Sequence, residues 1–451
     1  MIASFSKESC RQLLQLSKNV PASISSRSLH SEVIGVWIFH RHGDRTPSHP
    51  LVADQFIDQE IEFWTTKIPS ADRTHFDLLS QRFPASIHEL NNGGKFLDAD
   101  SGRFPYGFLS WKGMNQLHKL GLELSQKYTN GKDSFRDSWN INVFSTNYLR
   151  TVKSVQCLLD GLLHGYENHG DYETRNAESF GGGSDNSNQI IINVRQPLDE
   201  TLNAFDTKPN EIRPIIKNIM ESTEFREHDG KATSLAARLT SYIPGLMNYK
   251  GSGPSGINWV FAADHFVCRD SHNLKFTAFS ELQDKPEEEA VLQALYTATV
   301  SHLASRFQFW YQGATLEYMA KPALNEVYSS MMDTIEQDGT GLKPFTIFSC
   351  HDVTILALLY GLKAKFTLAY EILASIGIEH GPTEKDRRYW PEYASHLIFE
   401  LEKVYCSESK SENFRINILL NGSHVETYTT LKENRTMDIS EFQNILTNVN
   451  E

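Results

Sequence analysis

Short apolar runs along the chain predict a set of buried β-strands. The runs are rich in β-branched and aromatic residues and have the length of strands. The first run ends abruptly in a charged loop, and the last is followed by Asn421-Gly422, a dipeptide typical of a two-residue hairpin turn. The predicted strands are Val33–Phe39, Asn142–Ser145, Pro344–Cys350, Ser395–Val404 and Arg415–Leu420.

Helical periodicity fills much of the chain between these strands. From Trp111 to Tyr128, apolar residues recur every three or four positions, as on the buried face of an amphipathic helix. Gly113 and Gly121 lie close to one face of that helix, and each costs roughly 1 kcal/mol relative to alanine, so we expect them to mark close packing. Further helices are predicted at Arg150–Asp160, 286–311, 322–337 and Val353–Tyr360.

The order of these elements predicts an α/β fold with an insertion. We expect residues 1–31 to form an N-terminal extension, and residues 32–165 and 286–451 to form an α/β core. The stretch 166–285 contains turn clusters and two helical patterns, which predict a mostly helical insertion. Residues 46–108 are rich in Pro, Asp, Ser and aromatic residues with little periodicity, and this indicates irregular structure around a site.

Composition and charge narrow the possible functions. Hydrophobic residues make up 40% of the 451 residues, as in a globular protein with a sizeable core. The net charge of −13 opposes binding to nucleic acid and anionic membranes, so an anionic substrate requires a locally basic site. No apolar run approaches the roughly 18–20 residues of a membrane-spanning helix. The five cysteines and 17 histidines show no spacing typical of a metal site or a dense disulfide framework.

A basic motif, Arg41–Pro47, directly follows the first predicted strand. Open α/β sheets bind their ligands at the carboxyl ends of the strands. Guanidinium groups stay charged, are costly to bury without anions and bind phosphate oxygens through two N–H groups at once. A solvated basic turn is the alternative interpretation, but the position at a sheet edge favours a phosphate site that contains Arg41, His42 and Arg45.

A second motif, His351-Asp352, occupies the equivalent position after another buried strand. It also opens a short apolar helix, and a helix N-terminus attracts anions through its free N–H groups and its dipole. His-Asp by itself is a common dipeptide. Its position at a strand end, repeating that of the first motif, favours a functional role.

Taken together, the motifs resemble those of the histidine acid phosphatase family, the two-histidine phosphatases related to phosphoglycerate mutase. Arg41-His42-Gly43-x-Arg45-x-Pro47 with His351-Asp352 far downstream carries the main resemblance. Ser145–Thr151 is similar to the segment that supplies a third phosphate-binding arginine, Arg150. Two more segments are similar to family segments: 109–121, which resembles the family's glycine-spaced helix, and 390–401, which resembles its late strand. The resemblance implies a three-layer core like that of phosphoglycerate mutase, with a mostly parallel sheet and an inserted α-helical cap.

The resemblance also implies a role for each motif residue. His42 would be the nucleophile that forms a phosphohistidine, and Asp352 would protonate the leaving oxygen. A neutral imidazole can attack phosphorus, while fixed positive charges offset the charge on the equatorial oxygens. An aspartic acid donor must be protonated when the ester bond breaks, which favours an acidic medium. No metal or cofactor is expected, and the phosphoryl oxygens would be bound by Arg41, Arg45, Arg150 and His351.

The substrate is expected to be a small phosphomonoester. His351-Asp352 is typical of the phosphatase branch, whereas multiple inositol polyphosphate phosphatases carry His-Ala-Glu. The segments around Arg150 and Cys157–Leu162 resemble the lysophosphatidic acid phosphatase branch, which is associated with mitochondria in animals, so lysophosphatidic acid is one candidate substrate. A phytase-like or broad-specificity acid phosphatase is the alternative. A non-catalytic phosphate- or phospholipid-binding protein is the alternative of another class.

The sequence leaves the compartment open. Residues 1–31 contain no apolar block of the secretory type, and their basic, serine-rich composition suits a transit peptide or an ordinary helix over Lys7–Leu16 equally well. We therefore expect a cytoplasmic or mitochondrial protein. The oligomeric state does not follow from the sequence.

Overall fold

A computed structural model describes residues 29–69, 74–87, 96, 104–129, 135–164, 172–173, 189–337, 341–364, 390–406, 411–427 and 436–448. The helix predicted at Lys7–Leu16 and most of the predicted N-terminal extension lie outside these residues.

A single mixed β-sheet organises the described residues. Its strands are β1 (Leu29–Arg41), β2 (Ala85–Ile87), β3 (Trp139–Ser145), β4 (Ile192–Val194), β5 (Lys343–Cys350), β6 (His396–Cys406), β7 (Ser411–Leu420), β8 (Ser423–His424) and β9 (Met437–Asp438). The order is β2-β4-β3-β5-β1-β6-β7-β8, and β9 also pairs with β7. The first five strands in this order are parallel, and those beyond β1 pair antiparallel. The five strands predicted from sequence are all present.

Helices account for most of the remaining described residues. Within the core and its connections they are α1 (Ile57–Thr65), α2 (Thr74–Arg82), α3 (Trp111–Thr129), α4 (Phe135–Ser138) and α5 (Leu149–His164). A run of helices follows: α6 (Ala204–Thr207), α7 (Pro209–Glu221), α8 (Thr223–Gly230), α9 (Thr233–Tyr242), α10 (Trp259–Ser271) and α11 (Pro286–Trp310). The last are α12 (Leu316–Met319), α13 (Lys321–Glu336), α14 (Asp352–Gly361) and α15 (Ile439–Thr447).

The side chains of β1 point alternately into two hydrophobic cores, one on each face of the sheet. Trp37 and Phe39 belong to one hydrophobic core, whereas Val36 and Ile38 belong to another on the opposite face. Because successive side chains of a strand point to opposite faces, both faces of the sheet must be covered. Helices α3 and α5 cover one face, and α10, α11, α13 and α14 contribute to the core on the other. The structure therefore has the predicted three layers, with a sheet between two layers of helices.

Glycines allow α3 to pack closely against its neighbours. A Cβ atom on Gly121 would overlap the backbone of Leu158 in α5, and one on Gly161 would overlap the backbone of His118 in α3. A Cβ atom on Gly113 would overlap the backbone of Asp44. The close packing predicted at Gly113 and Gly121 is confirmed, and it fixes α3 against the loop that follows β1.

Two elements pack differently from what the predicted domain boundaries imply. β4 falls within the range 166–285 but pairs with β2 and β3 in the sheet. Helix α11, assigned to the core from sequence, packs against α7–α10. We call residues 204–310 the helical segment. The domain boundaries themselves remain a prediction.

The stretch 46–108 is more regular than expected, since it contains α1, α2 and β2. Helix α1 has only nine residues, too few for a clear period. It also buries Glu60, whose carboxylate lies 2.6 Å from the guanidinium of Arg269 in α10. A buried ion pair interrupts the apolar pattern on which the sequence prediction depended. Among the described residues, no helix is both long and apolar enough to span a bilayer.

Candidate active site

Two parallel strands end side by side at the site. In the β1–β5 pair, Arg41 lies opposite Cys350, so that His42 and His351 leave the sheet at the same edge. Their imidazole rings are 5.6 Å apart between centroids and are inclined at 73°. Strand register thus brings together two motifs that lie far apart in the chain.

The tautomer of His42 follows from a single hydrogen bond. Its Nδ1 lies 2.8 Å from the carbonyl oxygen of Gly43, and because that oxygen only accepts, Nδ1 carries the proton. Nε2 consequently keeps its lone pair. Burial, and then the charges of nearby arginines, lower the pKa of His42 well below its ordinary value. The imidazole is therefore neutral, and its free nitrogen is available as a nucleophile even in mild acid.

Backbone contacts hold the loop that carries His42. The N–H of His42 donates to the carbonyl oxygen of Cys350 at 3.0 Å, and the N–H of Gly43 donates to Oγ of Ser154 in α5, also at 3.0 Å. A Cβ atom on Gly43 would overlap the backbone of Gly113 in α3. His42 is therefore tied to the sheet and to both helices beneath it.

Arg41 is almost fully buried and contacts three groups. Its Nη2 lies 2.8 Å from Oδ2 of Asp352, and its Nη1 donates to the carbonyl oxygen of Pro391 at 2.6 Å. The guanidinium also lies over the ring of Tyr393, 4.2 Å from the centroid. The contact with Asp352 links the first motif to the second.

Arg45 is bound by a residue of the helical segment. Its Nη2 lies 2.7 Å from Oδ1 of Asp264 in α10, and its Nη1 lies 3.2 Å from Oδ2 of the same carboxylate. Burial by itself would lower the pKa of Arg45, but the charge of Asp264 outweighs it and raises this pKa. The guanidinium is accordingly charged within the site.

Arg150 and His351 face the site next to Tyr148. The guanidinium of Arg150, at the start of α5, lies 4.2 Å from the centroid of the Tyr148 ring. Nε2 of His351 is 3.1 Å from Oγ1 of Thr146, and its ring packs edge-on against Tyr148 at 4.9 Å. Burial, and then the nearby arginines, lower the pKa of His351 well below its ordinary value. His351 thus contributes a neutral hydrogen-bonding group.

Asp352 is the first residue of α14 and lies at the rim of the cluster. Its Oδ1 accepts from the backbone N–H of Val353 at 2.8 Å, and its Oδ2 accepts from Nε1 of Trp390 at 3.3 Å. Its side chain is 19% exposed, which leaves the carboxyl within reach of a bound molecule.

All six site residues predicted from sequence line one cavity of about 240 Å³: Arg41, His42, Arg45, Arg150, His351 and Asp352. Further polar groups of its lining are Tyr148, Asn203, Asp206, Asp264 and the indole of Trp390. Most of the remaining lining is apolar and comes from the helical segment. This apolar wall consists of Phe205, Val260, Ala263, Val267, Leu303 and Phe307.

Sequence reasoning assigned no role to Asp264 or to the apolar wall. Both come from helices whose place beside the motifs depends on the fold. The available signal was Asp264-His265, a polar pair within the otherwise apolar stretch of α10. A polar pair inside such a stretch indicates a buried partner without identifying it.

The arrangement is suited to phosphoryl transfer. Three guanidinium groups and a neutral imidazole face the same small cavity, and a carboxyl group lies at its rim. Within the part of the chain that the structure describes, no cluster of three or more His, Cys, Asp or Glu side chains has the arrangement of a metal site.

Structural comparison reveals relatives with the same fold. The phytase from Citrobacter braakii is 12% identical, with a TM-score of 0.53 over 93% of this chain and 98% of that one. The multiple inositol polyphosphate phosphatase of Bifidobacterium longum, solved with inositol hexasulfate, is 13% identical, with a TM-score of 0.50 over 96% and 95%. The phytase of Klebsiella sp. ASR1 is also 13% identical, with a TM-score of 0.50 over 93% and 96%. At these identities the likeness shows the fold alone.

Sequence comparison identifies the family. A search of curated proteins gives no match. The family model of the histidine phosphatase superfamily (branch 2) matches residues 32–421, a range that contains all six motif residues of the cavity. The chain therefore belongs to branch 2 of the histidine phosphatase superfamily and is a phosphatase.

Proposed function

We propose that the protein hydrolyses phosphate monoesters through a phosphohistidine formed on His42. The observation that carries the proposal is the neutral imidazole of His42, whose Nε2 retains its lone pair in a cavity lined by three arginines. Nε2 attacks phosphorus, a P–N bond forms, and the P–O bond to the leaving group breaks. Water then hydrolyses the phosphohistidine, which releases inorganic phosphate and regenerates His42.

The positive groups of the cavity bind the phosphoryl oxygens in this proposal. Charge spreads over the three equatorial oxygens in the transition state, and preorganised donors stabilise it without reorganisation. The donors are the three guanidinium groups and the ring of the second histidine: Arg41, Arg45, Arg150 and His351.

Asp352 acts as the general acid and then as the general base in this proposal. Protonated, it donates to the leaving oxygen; ionised, it then accepts a proton from the water that attacks the phosphohistidine. Its contact with Arg41 supports this assignment, because a phosphate oxygen on Arg41 competes with Asp352 for the guanidinium and frees the carboxyl for the leaving oxygen. The same contact places the carboxyl beside the bound phosphate.

The cavity supports a substrate with one phosphate and an apolar leaving group. Among the described residues that line it there is no lysine, and the described arginines are the three of the proposed phosphate site. Asp206 and the apolar wall make up other parts of the lining. A polyphosphorylated ring would place additional negative charges against these groups, whereas an acyl chain would bury apolar surface there. Lysophosphatidic acid is therefore our candidate substrate, and inositol hexakisphosphate the alternative.

A phosphate-release assay tests the proposal. The substrates are p-nitrophenyl phosphate, lysophosphatidic acid and inositol hexakisphosphate, each with EDTA and from pH 4 to 8. We expect EDTA-resistant turnover, with lysophosphatidic acid preferred to inositol hexakisphosphate. His42→Ala should lower kcat/KM by about 10³-fold or more, because the nucleophile is lost.

The control is His424→Ala, a histidine of β8 outside the cavity, which should retain wild-type turnover. Turnover by His42→Ala within tenfold of wild type would rule out the phosphohistidine. Wild-type protein that binds phosphate but releases none from any substrate would favour the non-catalytic alternative.

A further inference from the structure

Asp264 lies in the phosphate-binding cavity although it belongs to the helical segment. We propose that Asp264 is a positioning residue, which holds the guanidinium of Arg45 in the orientation that binds phosphate. The inference rests on the proposed phosphate site and assigns a task to a residue outside the two sequence motifs.

The contact between the two side chains determines the orientation of Arg45. Oδ1 of Asp264 lies 2.7 Å from Nη2 of Arg45, and Oδ2 lies 3.2 Å from Nη1. Because the guanidinium is planar, contact through two nitrogens restricts both its direction and its plane. Nη1 also donates to the carbonyl oxygen of Thr46 at 2.9 Å, which leaves few alternative positions for the group.

Asp264 is itself held in place. Its Oδ2 accepts from both the backbone N–H and Oγ of Ser48, each at 2.7 Å. Ser48 belongs to the same loop as Arg45, so one carboxylate attaches that loop to α10 at three donor groups. A buried carboxylate with these partners is a rigid support for a side chain that must bind a ligand.

The helix of Asp264 also reaches the other arginine of the first motif. One turn along α10, Sγ of Cys268 lies 3.2 Å from the hydroxyl of Tyr393, whose ring lies beneath the guanidinium of Arg41. Cys268 also contacts Oδ1 of Asp264 at 3.6 Å. Helix α10 thus supports the two arginines on either side of His42.

A carboxylate beside a phosphate site has two opposite effects on phosphate affinity. Burial would raise the pKa of Asp264, but Arg45 and the Ser48 donors outweigh burial and keep this pKa below its usual value, so the group is anionic. Its charge repels phosphate, whereas its hold on Arg45 favours phosphate binding. Removal of the charge therefore shows which effect dominates. Loss of the repulsion would lower the phosphate Kd, whereas loss of the hold on Arg45 would raise it.

The first test is phosphate binding by Asp264→Asn. We expect the Kd for inorganic phosphate, measured by titration calorimetry, to rise about 10- to 100-fold, with a parallel rise in KM for p-nitrophenyl phosphate and a smaller change in kcat. The matched control is Asp270→Asn, the same change on an exposed residue of α10, which should leave both constants within twofold of wild type. Unchanged or tighter phosphate binding by Asp264→Asn would overturn the inference.

A double-mutant cycle with Arg45→Gln separates positioning from general stability. If Asp264 acts through Arg45, adding Asp264→Asn to Arg45→Gln should change the phosphate Kd by less than about twofold. Additive effects would contradict the inference. Thermal unfolding of each variant shows whether it is folded.

A milder change covers the case in which Asp264→Asn does not fold. Ser48→Ala removes only the hydroxyl contact with Asp264 and should raise the phosphate Kd about two- to threefold; no change would overturn the inference. Phosphate binding is measured without turnover. Wild-type protein could bind phosphate more tightly than Asp264→Asn and yet release no phosphate from any substrate. That result would refute the proposed function and leave this inference standing.

Discussion

The two sides of the active-site cavity are built from different kinds of residues. The strand-end side carries charge and hydrogen-bonding groups, with Arg41 at the end of β1, His42 directly after it, and His351 and Asp352 after β5. The opposite side, from the helical segment, is largely apolar and contributes the carboxylates Asp206 and Asp264. The strand-end side holds groups suited to one phosphate, and the helical side has the chemistry to choose what the phosphate is attached to.

Under the proposed function, the two short motifs supply the chemistry and the helical side supplies the specificity. A strand and the loop after it orient neighbouring side chains through local geometry, and the parallel sheet aligns two such loops. The apolar wall that the proposal places around the leaving group comes from helices that are remote in sequence. Substitutions of the strand-end groups and of the apolar wall should therefore have different consequences: loss of rate for the first and a change of substrate preference for the second.

The largest effect among the following predictions is expected on the strand-end side. Asp352→Asn should lower kcat/KM for lysophosphatidic acid about 10²- to 10³-fold, because an amide does not protonate the leaving alkoxide. The loss for p-nitrophenyl phosphate should be at most about tenfold, since nitrophenolate leaves readily without a proton. Steady-state kinetics with both substrates make the measurement. Equal losses would show that Asp352 acts through binding or positioning and not as the proton donor.

The second effect concerns the stability of the folded protein in acid, through a histidine of the strand that carries the first motif. Burial lowers the pKa of His40 in β1 from 6.5 to about 4. Between these values the unfolded state binds more protons, so the free energy of unfolding should fall as the pH drops, by about 1.4 kcal/mol per pH unit for this histidine and about 3 kcal/mol in total. Urea unfolding at pH 7, 5.5 and 4.5 measures the slope.

The matched variant for this prediction is His40→Leu, which removes the buried imidazole. Its free energy of unfolding should depend less steeply on pH between 6.5 and 4 than that of wild type. An identical slope in the two proteins would show that His40 is not the source of the acid sensitivity.

The smallest effect is expected on the helical side. Val260 is 45% exposed and lines the cavity, so Val260→Lys adds a cation to the apolar wall without filling the core. The ratio of kcat/KM for inositol hexakisphosphate to that for lysophosphatidic acid should rise about five- to tenfold, since the cation attracts the additional phosphates. Met247→Lys, at an exposed residue outside the cavity lining, is the control. An unchanged ratio in Val260→Lys would mean that the wall does not contact the leaving group.

Most of the sheet and all six motif residues could be predicted from the sequence. Apolar runs such as Phe345–Cys350 are buried on both faces, and helix α3 has enough turns to show its period. Short elements were missed: α1 has nine residues and β4 has three, too few for either period to appear. The pair Glu60–Arg269 could not be predicted because nothing local to either residue identifies the other.

The sequence by itself determined which reactive groups the protein carries and where they stand relative to buried strands, because a motif and its strand are adjacent in the chain. Only the tertiary structure decided the state of those groups. His42 is neutral because burial in the folded protein, and then arginines that include the distant Arg150, lower its pKa. Arg45 has its orientation because α10 brings Asp264 to it. Protonation and orientation depend on the surroundings in space, which for this site come from residues throughout the chain.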